Sequence, residues 1–131
     1  MKPVLIINPN GSQKTTQDMV GITSRYLPNV MGWTNHKGPK MIVDRDQLYE
    51  AANQISAAVF PEASALIVAA FGDPGAKKLA RSMDIPVIGI AAAAAREAAL
   101  SGVSFAVVTS TPKLAPSIDK IMRAERGHTY L

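Results

Sequence analysis

Short apolar runs alternate with helical stretches five times along the 131-residue sequence, and this alternation narrows the possible folds more than any other feature. A continuous apolar run bounded by turn residues is typical of a strand that is buried on both faces of a sheet. Strands that alternate with helices join through right-handed crossovers, so the strands lie parallel and the helices cover the sheet. The predicted strands cover residues 3–7, 30–35, 65–70, 86–90 and 104–109, and the predicted helices cover residues 12–27, 44–60, 74–83, 91–100 and 112–123.

These elements predict an α/β protein in which a doubly wound parallel sheet forms the middle of three α/β/α layers. The sheet should have about five strands, and the order 2-1-3-4-5 is common in such folds. The sequence contains no internal repeat and no linker, so we expect one domain over residues 1–131. Residues 112–131 are predicted to form a helix followed by a flexible tail.

The composition excludes several classes of chemistry. The sequence contains no cysteine, which excludes disulfides, thiolate catalysis and cysteine-ligated metal centres. It has no dinucleotide-binding or phosphate-loop glycine motif and no Gly-x-Ser-x-Gly elbow. Neither His36 nor His128 has a carboxylate at a useful spacing. We therefore expect no metal and no cofactor.

The beginning of the sequence and the length of its apolar runs bear on location. The first apolar run, at residues 3–7, is followed at once by polar turn residues, unlike the longer apolar region of a signal peptide. No apolar run approaches the roughly 20 residues that span a bilayer. We therefore expect a cytoplasmic protein with no membrane segment.

The net charge of +4 comes partly from two basic clusters on predicted helices. We interpret both clusters as solvated helix faces, because a nucleic-acid surface would need a denser stripe with aromatic residues between the charges. We therefore predict no nucleic-acid partner, and we expect the mild positive balance to attract small anions such as carboxylates. The clusters are Lys77, Lys78 and Arg81, and Lys120, Arg123 and Arg126.

Polar residues follow the first and fifth predicted strands, where an open parallel sheet binds its ligands. Residues 8–12 read Asn-Pro-Asn-Gly-Ser and precede a helix. Their amides, hydroxyl and backbone N–H groups would suit a carboxylate, although the asparagines could instead bond their own backbone in a turn. Thr109, Ser110 and Thr111 could donate to the same ligand or could cap the last helix.

Asp73 is the only carboxylate at the end of a predicted strand. Its position before Pro74 and Gly75 favours a cap for the helix over residues 74–83. The alternative is a catalytic role, either as a general base or as an acceptor that orients a ligand N–H.

Residues 65–75 read Ala-Leu-Ile-Val-Ala-Ala-Phe-Gly-Asp-Pro-Gly, a strand that runs into a tight turn. This segment resembles the strand and loop of the aspartate/glutamate/hydantoin racemase family, in which a cysteine precedes Phe-Gly-Asp-Pro-Gly. Here that position is Ala70. The similarity extends from the Asn-Pro-Asn segment at residues 8–10 to about Thr111.

The resemblance implies a cofactor-independent racemisation in which two cysteines face the substrate from opposite sides. One thiolate removes the proton next to a carbonyl and the other thiol returns a proton on the far face. The resemblance places Ala70 at the position of the first cysteine and predicts a substrate site formed by Asn8, Asn10, Ser12, Phe71, Gly72, Thr109 and Ser110.

The sequence departs from the family at three points. Ala70 has no titratable atom, Ala92 stands where many members have a glutamate, and family chains are nearly twice as long. We therefore predict a family protein that binds a small carboxylate or hydantoin-like ligand without two-cysteine racemisation on its own. It would act as a homodimer or with a separate second half-domain.

Two alternatives remain open. One is an isomerase or decarboxylase with Asp73 as the base. The other is a non-catalytic interaction domain that docks through the alanine-rich helix.

Overall fold

A parallel sheet of four strands forms the centre of the protein, with the order β2-β1-β3-β4. The computed structural model describes residues 1–125. The α/β class and the order of the first four predicted strands are confirmed. The strands are β1 (Val4–Asn8), β2 (Val30–Thr34), β3 (Ala65–Val68) and β4 (Val87–Gly89).

Five α-helices and one 3₁₀ turn connect and follow the strands. Side-chain caps begin the first two helices, since Ser12 accepts from the N–H of Thr15 and Asp44 accepts from the N–H of Gln47. The helices are α1 (Gln13–Thr23), α2 (Arg45–Ala57), α3 (Ala76–Ser82), α4 (Ile90–Leu100) and α5 (Ala115–Glu125), and the 3₁₀ turn covers Pro112–Leu114.

The predicted fifth strand, at residues 104–109, is wrong, because this segment forms no strand. Its composition is strand-prone, but strand preference reflects packing against neighbouring strands more than the backbone itself. Phe105 packs against a helical core cluster instead of at the edge of β4. Val107 and Val108 remain exposed, the latter by 96%. Residues 112–131 were predicted to form a helix and a flexible tail. The 3₁₀ turn and α5 cover residues 112–125 of this segment, and residues 126–131 lie outside the described residues.

Two apolar clusters hold the layers together, and α2 contributes to both. Ile55 of α2 packs with Leu5 and Leu66 of the sheet in the first cluster. Leu48 of α2 belongs to the second cluster, which joins α4 and α5. The small alanines of α4 allow α5 to lie close to it. The buried members of this second cluster are Ile42, Leu48, Ala51, Ala91, Ala95, Leu114, Ile118 and Met122.

Candidate functional site

The turn after β1 uses its own polar side chains to hold its shape. The amide of Asn8 is fully buried, and its Nδ2 donates to Asn10 Oδ1 and Ser12 O at 2.9 Å and to Thr16 Oγ1 at 3.0 Å. Asn8 Oδ1 accepts from the Asn10 N–H at 3.1 Å. The sequence raised two alternatives, and the structure shows the one in which the asparagines bond within their own turn. The buried Asn8 amide therefore stabilises this turn.

Asn10 and Ser12 are half-buried and also bonded within this turn. Asn10 Oδ1 accepts from the Ser12 N–H at 2.9 Å. Ser12 Oγ accepts from the N–H of Thr15 at 3.2 Å and so begins α1. The structure thus brings three of the predicted site residues, Asn8, Asn10 and Ser12, into one hydrogen-bonded unit at the carboxyl end of β1.

The loop after β3 has an unusual backbone that leaves two donors free. Gly72 has φ of +117° and Asp73 has φ of +47°. A Cβ on Gly72 would also collide with the side chain of Leu48, so this position requires glycine. Within residues 1–125, the backbone N–H groups of Phe71 and Gly72 donate to no acceptor. Phe71 is 37% exposed and Ala70 and Gly72 are half-buried, so this loop lies at the surface.

Asp73 caps α4, so the prediction that it caps the following helix is wrong. Gly75 stands at the N-terminus of α3 without a side-chain cap. The two carboxylate oxygens of Asp73 accept from the backbone N–H groups of Ala91 and Ala92, each at 2.8 Å. Gly89 makes room for this contact, because a Cβ there would overlap the Asp73 carboxyl group. Two hydrogen bonds therefore connect the loop after β3 to the first turn of α4.

Burial raises the pKa of the Asp73 carboxyl above its ordinary value, because ionisation there gives up solvation. The two backbone N–H bonds act in the opposite direction without cancelling this effect. Glu125 nearby adds to the upward shift and Arg96 opposes it.

Thr109 and Ser110 are exposed at the end of the segment that was predicted as a strand. The hydroxyls of Thr109 and Thr111 lie 2.8 Å apart, and Thr111 begins the 3₁₀ turn without a side-chain cap. Within the described residues, no hydrogen bond joins Thr109 or Ser110 to the turn after β1 or the loop after β3. No hydrogen bond among the described residues therefore connects these two residues with the rest of the predicted site.

His36 takes no part in these contacts. His36 lies exposed in the turn after β2, and His128 lies outside the described residues. Within residues 1–125, no three His, Asp or Glu side chains gather as a metal site would require.

A groove of about 800 Å³ lies beside the loop after β3, bordered by α2, α3, β4, α4 and α5. Gly72, Asp73 and Gly89 line it, whereas Asn8, Asn10, Ser12 and Thr109 do not. The charges on α3 and α5, predicted to be separate solvated faces, both line this cavity, and Arg45, Arg96 and Lys113, which no motif singled out, line it with them. We call this cavity the basic groove after its seven basic side chains, Arg45, Lys77, Lys78, Arg81, Arg96, Lys113 and Lys120.

The fold and the strand-end loop define a racemase-like α/β protein. The family model for Asp/Glu/hydantoin racemase matches residues 4–129, so the chain belongs to this family, as its sequence predicted. A hydantoin racemase from Paenarthrobacter aurescens is 24% identical over 130 residues, which cover 92% of this chain and 54% of the relative.

A solved structure supports the same fold. The crystal structure of allantoin racemase from Pseudomonas fluorescens matches with a TM-score of 0.79 and 22% identity, over 90% of this chain and 53% of that protein. The chain therefore spans about half the length of these two relatives. None of the helices within residues 1–125 has both the length and the apolar character needed to cross a membrane.

Proposed function

We propose that this chain binds a small carboxylate or hydantoin-like ligand at the carboxyl ends of β1 and β3. The observation that carries the proposal is the pair of unbonded backbone N–H groups at Phe71 and Gly72. Successive free N–H groups in a loop of this kind form a concave anion-binding surface. A ligand oxygen would accept from both groups while its apolar part lies on the ring of Phe71.

Family membership supports this choice of ligand. The two relatives described above are named for the racemisation of hydantoin and of allantoin. Thr109 and Ser110 would add hydroxyl donors when a ligand or partner draws their segment towards the loop.

We propose further that the chain alone does not racemise its ligand by the two-thiol route. Ala70 offers only a methyl group where the family cysteine stands, and the sequence contains no cysteine. A positioned acid or base contributes roughly 10²–10⁴-fold to a rate. Inversion needs one such group on each face of the reacting carbon, so binding and oxyanion stabilisation would remain without proton transfer.

Ligand binding can be tested by thermal unfolding with hydantoin, amino acids and dicarboxylates. We expect at least one of them to raise Tm at millimolar concentration, and we expect Phe71→Ala to abolish the rise. Tyr26→Ala is the matched control, because Tyr26 is an exposed aromatic residue that follows α1, far from the loop. The absence of any response to all three ligand classes would contradict the binding proposal.

The absence of thiol chemistry can be tested by α-proton exchange in deuterium oxide. We expect none from the wild-type chain and measurable exchange from Ala70→Cys, because the new thiol would lie beside the free donors. Ala57→Cys, at the exposed end of α2, provides a thiol outside the site as a control. Racemisation by the wild-type chain at an enzyme-like rate would contradict this proposal.

Two other functions receive less support from the contacts. Both oxygens of Asp73 already accept backbone N–H groups, which leaves a general base less free to approach a ligand proton. The alanine-rich helix α4 packs its buried Ala91 and Ala95 in a cluster with α5, so an interaction partner would have to replace α5 on that face.

We also propose that the site is completed by a second half, either another copy of this chain or a separate half-domain. The support is the strand-prone segment at residues 104–109, whose exposed Val107 and Val108 would be covered by pairing with another chain.

A further inference from the structure

Basic side chains that are far apart in sequence share one cavity in the folded protein. Lys77, Lys78 and Arg81 enter the basic groove from α3. Lys113 and Lys120 enter it from the 3₁₀ turn and α5. We propose that this groove binds a small molecule carrying a phosphate or diphosphate group, beside the proposed carboxylate site, with which the groove shares Gly72.

The charge in the groove is strongly one-sided. Within residues 1–125, seven basic side chains line it, but only two acidic side chains do. Both acids already have partners, because Asp73 accepts from the start of α4 and Glu125 pairs with Arg96 at 3.2 Å. The remaining cations create a positive potential that a bound anion would relieve.

The four lysines of the groove have no carboxylate partner within the described part of the chain. Within residues 1–125, no carboxylate pairs with the side chains that matter most here, Lys77, Lys78, Lys113 and Lys120. All four are exposed and so free to turn towards a ligand. Lysine is a common point-charge binder of phosphate, and arginine adds two-pronged hydrogen bonds.

The size and charge of the groove favour a phosphate ester over a simple carboxylate. A volume of about 800 Å³ falls within the usual range for small-molecule sites. A monocarboxylate carries a single charge, whereas a phosphate group carries about −1.5 to −2 at neutral pH. Val87 and Ile88 of β4 line the same cavity and offer apolar surface for the organic part of the molecule.

Calorimetric titration with pyrophosphate, inorganic phosphate and acetate at one fixed ionic strength tests the proposal. We expect pyrophosphate to bind more tightly than phosphate and acetate to bind least. Lys78→Glu combined with Lys120→Glu should raise the Kd for pyrophosphate at least tenfold. Lys40→Glu and Lys37→Glu together are the matched control, because they change the net charge equally at exposed positions outside the groove.

Several results would overturn the proposal. These are no pyrophosphate binding at millimolar concentration, equal binding of acetate and pyrophosphate, or an equal effect of the control variant. Binding of a single-stranded oligonucleotide that strengthens with its length, beyond what fits the groove, would instead assign the surface to nucleic acid. Circular dichroism would first establish that each variant is folded.

The two sites can be separated in the same proteins. The groove variant should leave the Tm response to hydantoin or carboxylate unchanged, and Phe71→Ala should leave pyrophosphate binding unchanged. Loss of one response without the other therefore shows which of the two proposals has failed.

Discussion

Asn8 is the last residue of the inner strand β1. Its side chain is fully buried, and its amide nitrogen donates to three oxygens. Asn8→Asp keeps the shape but replaces the donor with a buried carboxylate. We expect a loss of about 3 kcal/mol in the free energy of unfolding, because an uncompensated buried charge is costly. Urea denaturation would measure it, with the exposed Asn53→Asp as the control. Equal stability of the two variants would show that the Asn8 network contributes little.

Gly89 matters because its missing side chain leaves space for the Asp73 carboxyl group. We expect Gly89→Ala to push that group away from the start of α4 and to reduce stability by about 1–3 kcal/mol, the usual effect of unpaired buried donors. In an Asp73→Ala background the same change should cost less, because the contact is already lost. Urea denaturation of the four proteins gives the coupling, and strictly additive effects would contradict this account.

The raised pKa of Asp73 predicts how its contribution to stability varies with pH. Because the pKa in the folded protein lies above the unfolded value of about 3.9, folding favours the protonated carboxyl. The contribution is therefore full below the unfolded pKa and declines as pH rises through the folded pKa. We expect the stability difference between wild type and Asp73→Ala to shrink from acid towards neutral pH in urea denaturation. A difference that grows with pH would mean that the backbone N–H bonds outweigh burial.

At the scale of elements, α5 depends on its apolar contacts with α4. Ile118 of α5 is buried in one cluster with Ala91 and Ala95 of α4. We expect Ile118→Ala to cost about 2–4 kcal/mol, the typical range for such truncations, and to loosen α4 and α5 first. Hydrogen exchange should show faster amides in these helices and unchanged amides in β1 and β3.

Ile22→Ala is the control for this experiment, because Ile22 lies on α1 and is largely exposed. If Ile118→Ala accelerated exchange equally in the sheet and in α5, the two helices would unfold together with the whole protein.

The segment at residues 104–109 illustrates the limit of local patterns for single elements. Its branched residues predict a strand, yet a strand needs a neighbour to bond to. The packing of Phe105 with the helical cluster gives this segment a different neighbour. The two inner strands, β1 and β3, do have such neighbours, and their continuous apolar sequences are largely buried.

At the scale of the whole molecule, the exposed segment predicts association. We expect sedimentation velocity to show a concentration-dependent dimer or larger species. Val108→Lys should raise the dissociation constant at least tenfold, because a charge would enter the new contact. Val59→Lys, at another highly exposed valine, should have little effect. A strict monomer at every concentration would contradict association between copies and leave pairing with a different half-domain as the remaining form of the proposal.

Local pattern was enough to predict the α/β class, because the alternation of strands and helices depends on residues close together in the chain. The order of the first four strands was predicted from what is common in doubly wound folds, and the family was predicted from the resemblance at residues 65–75. Local pattern was also enough to identify the loop at residues 70–75, whose glycines and proline are contiguous.

Three features depended on packing between distant segments. Asp73 turned to α4 because Gly89 leaves room there. The Asn8 amide donates to Ser12 in its own turn and to Thr16 of α1. The basic residues of α3 and α5 came to share one groove. Periodicity reports which face of an element is buried, but the identity of the residues that meet across elements is set only when the layers pack.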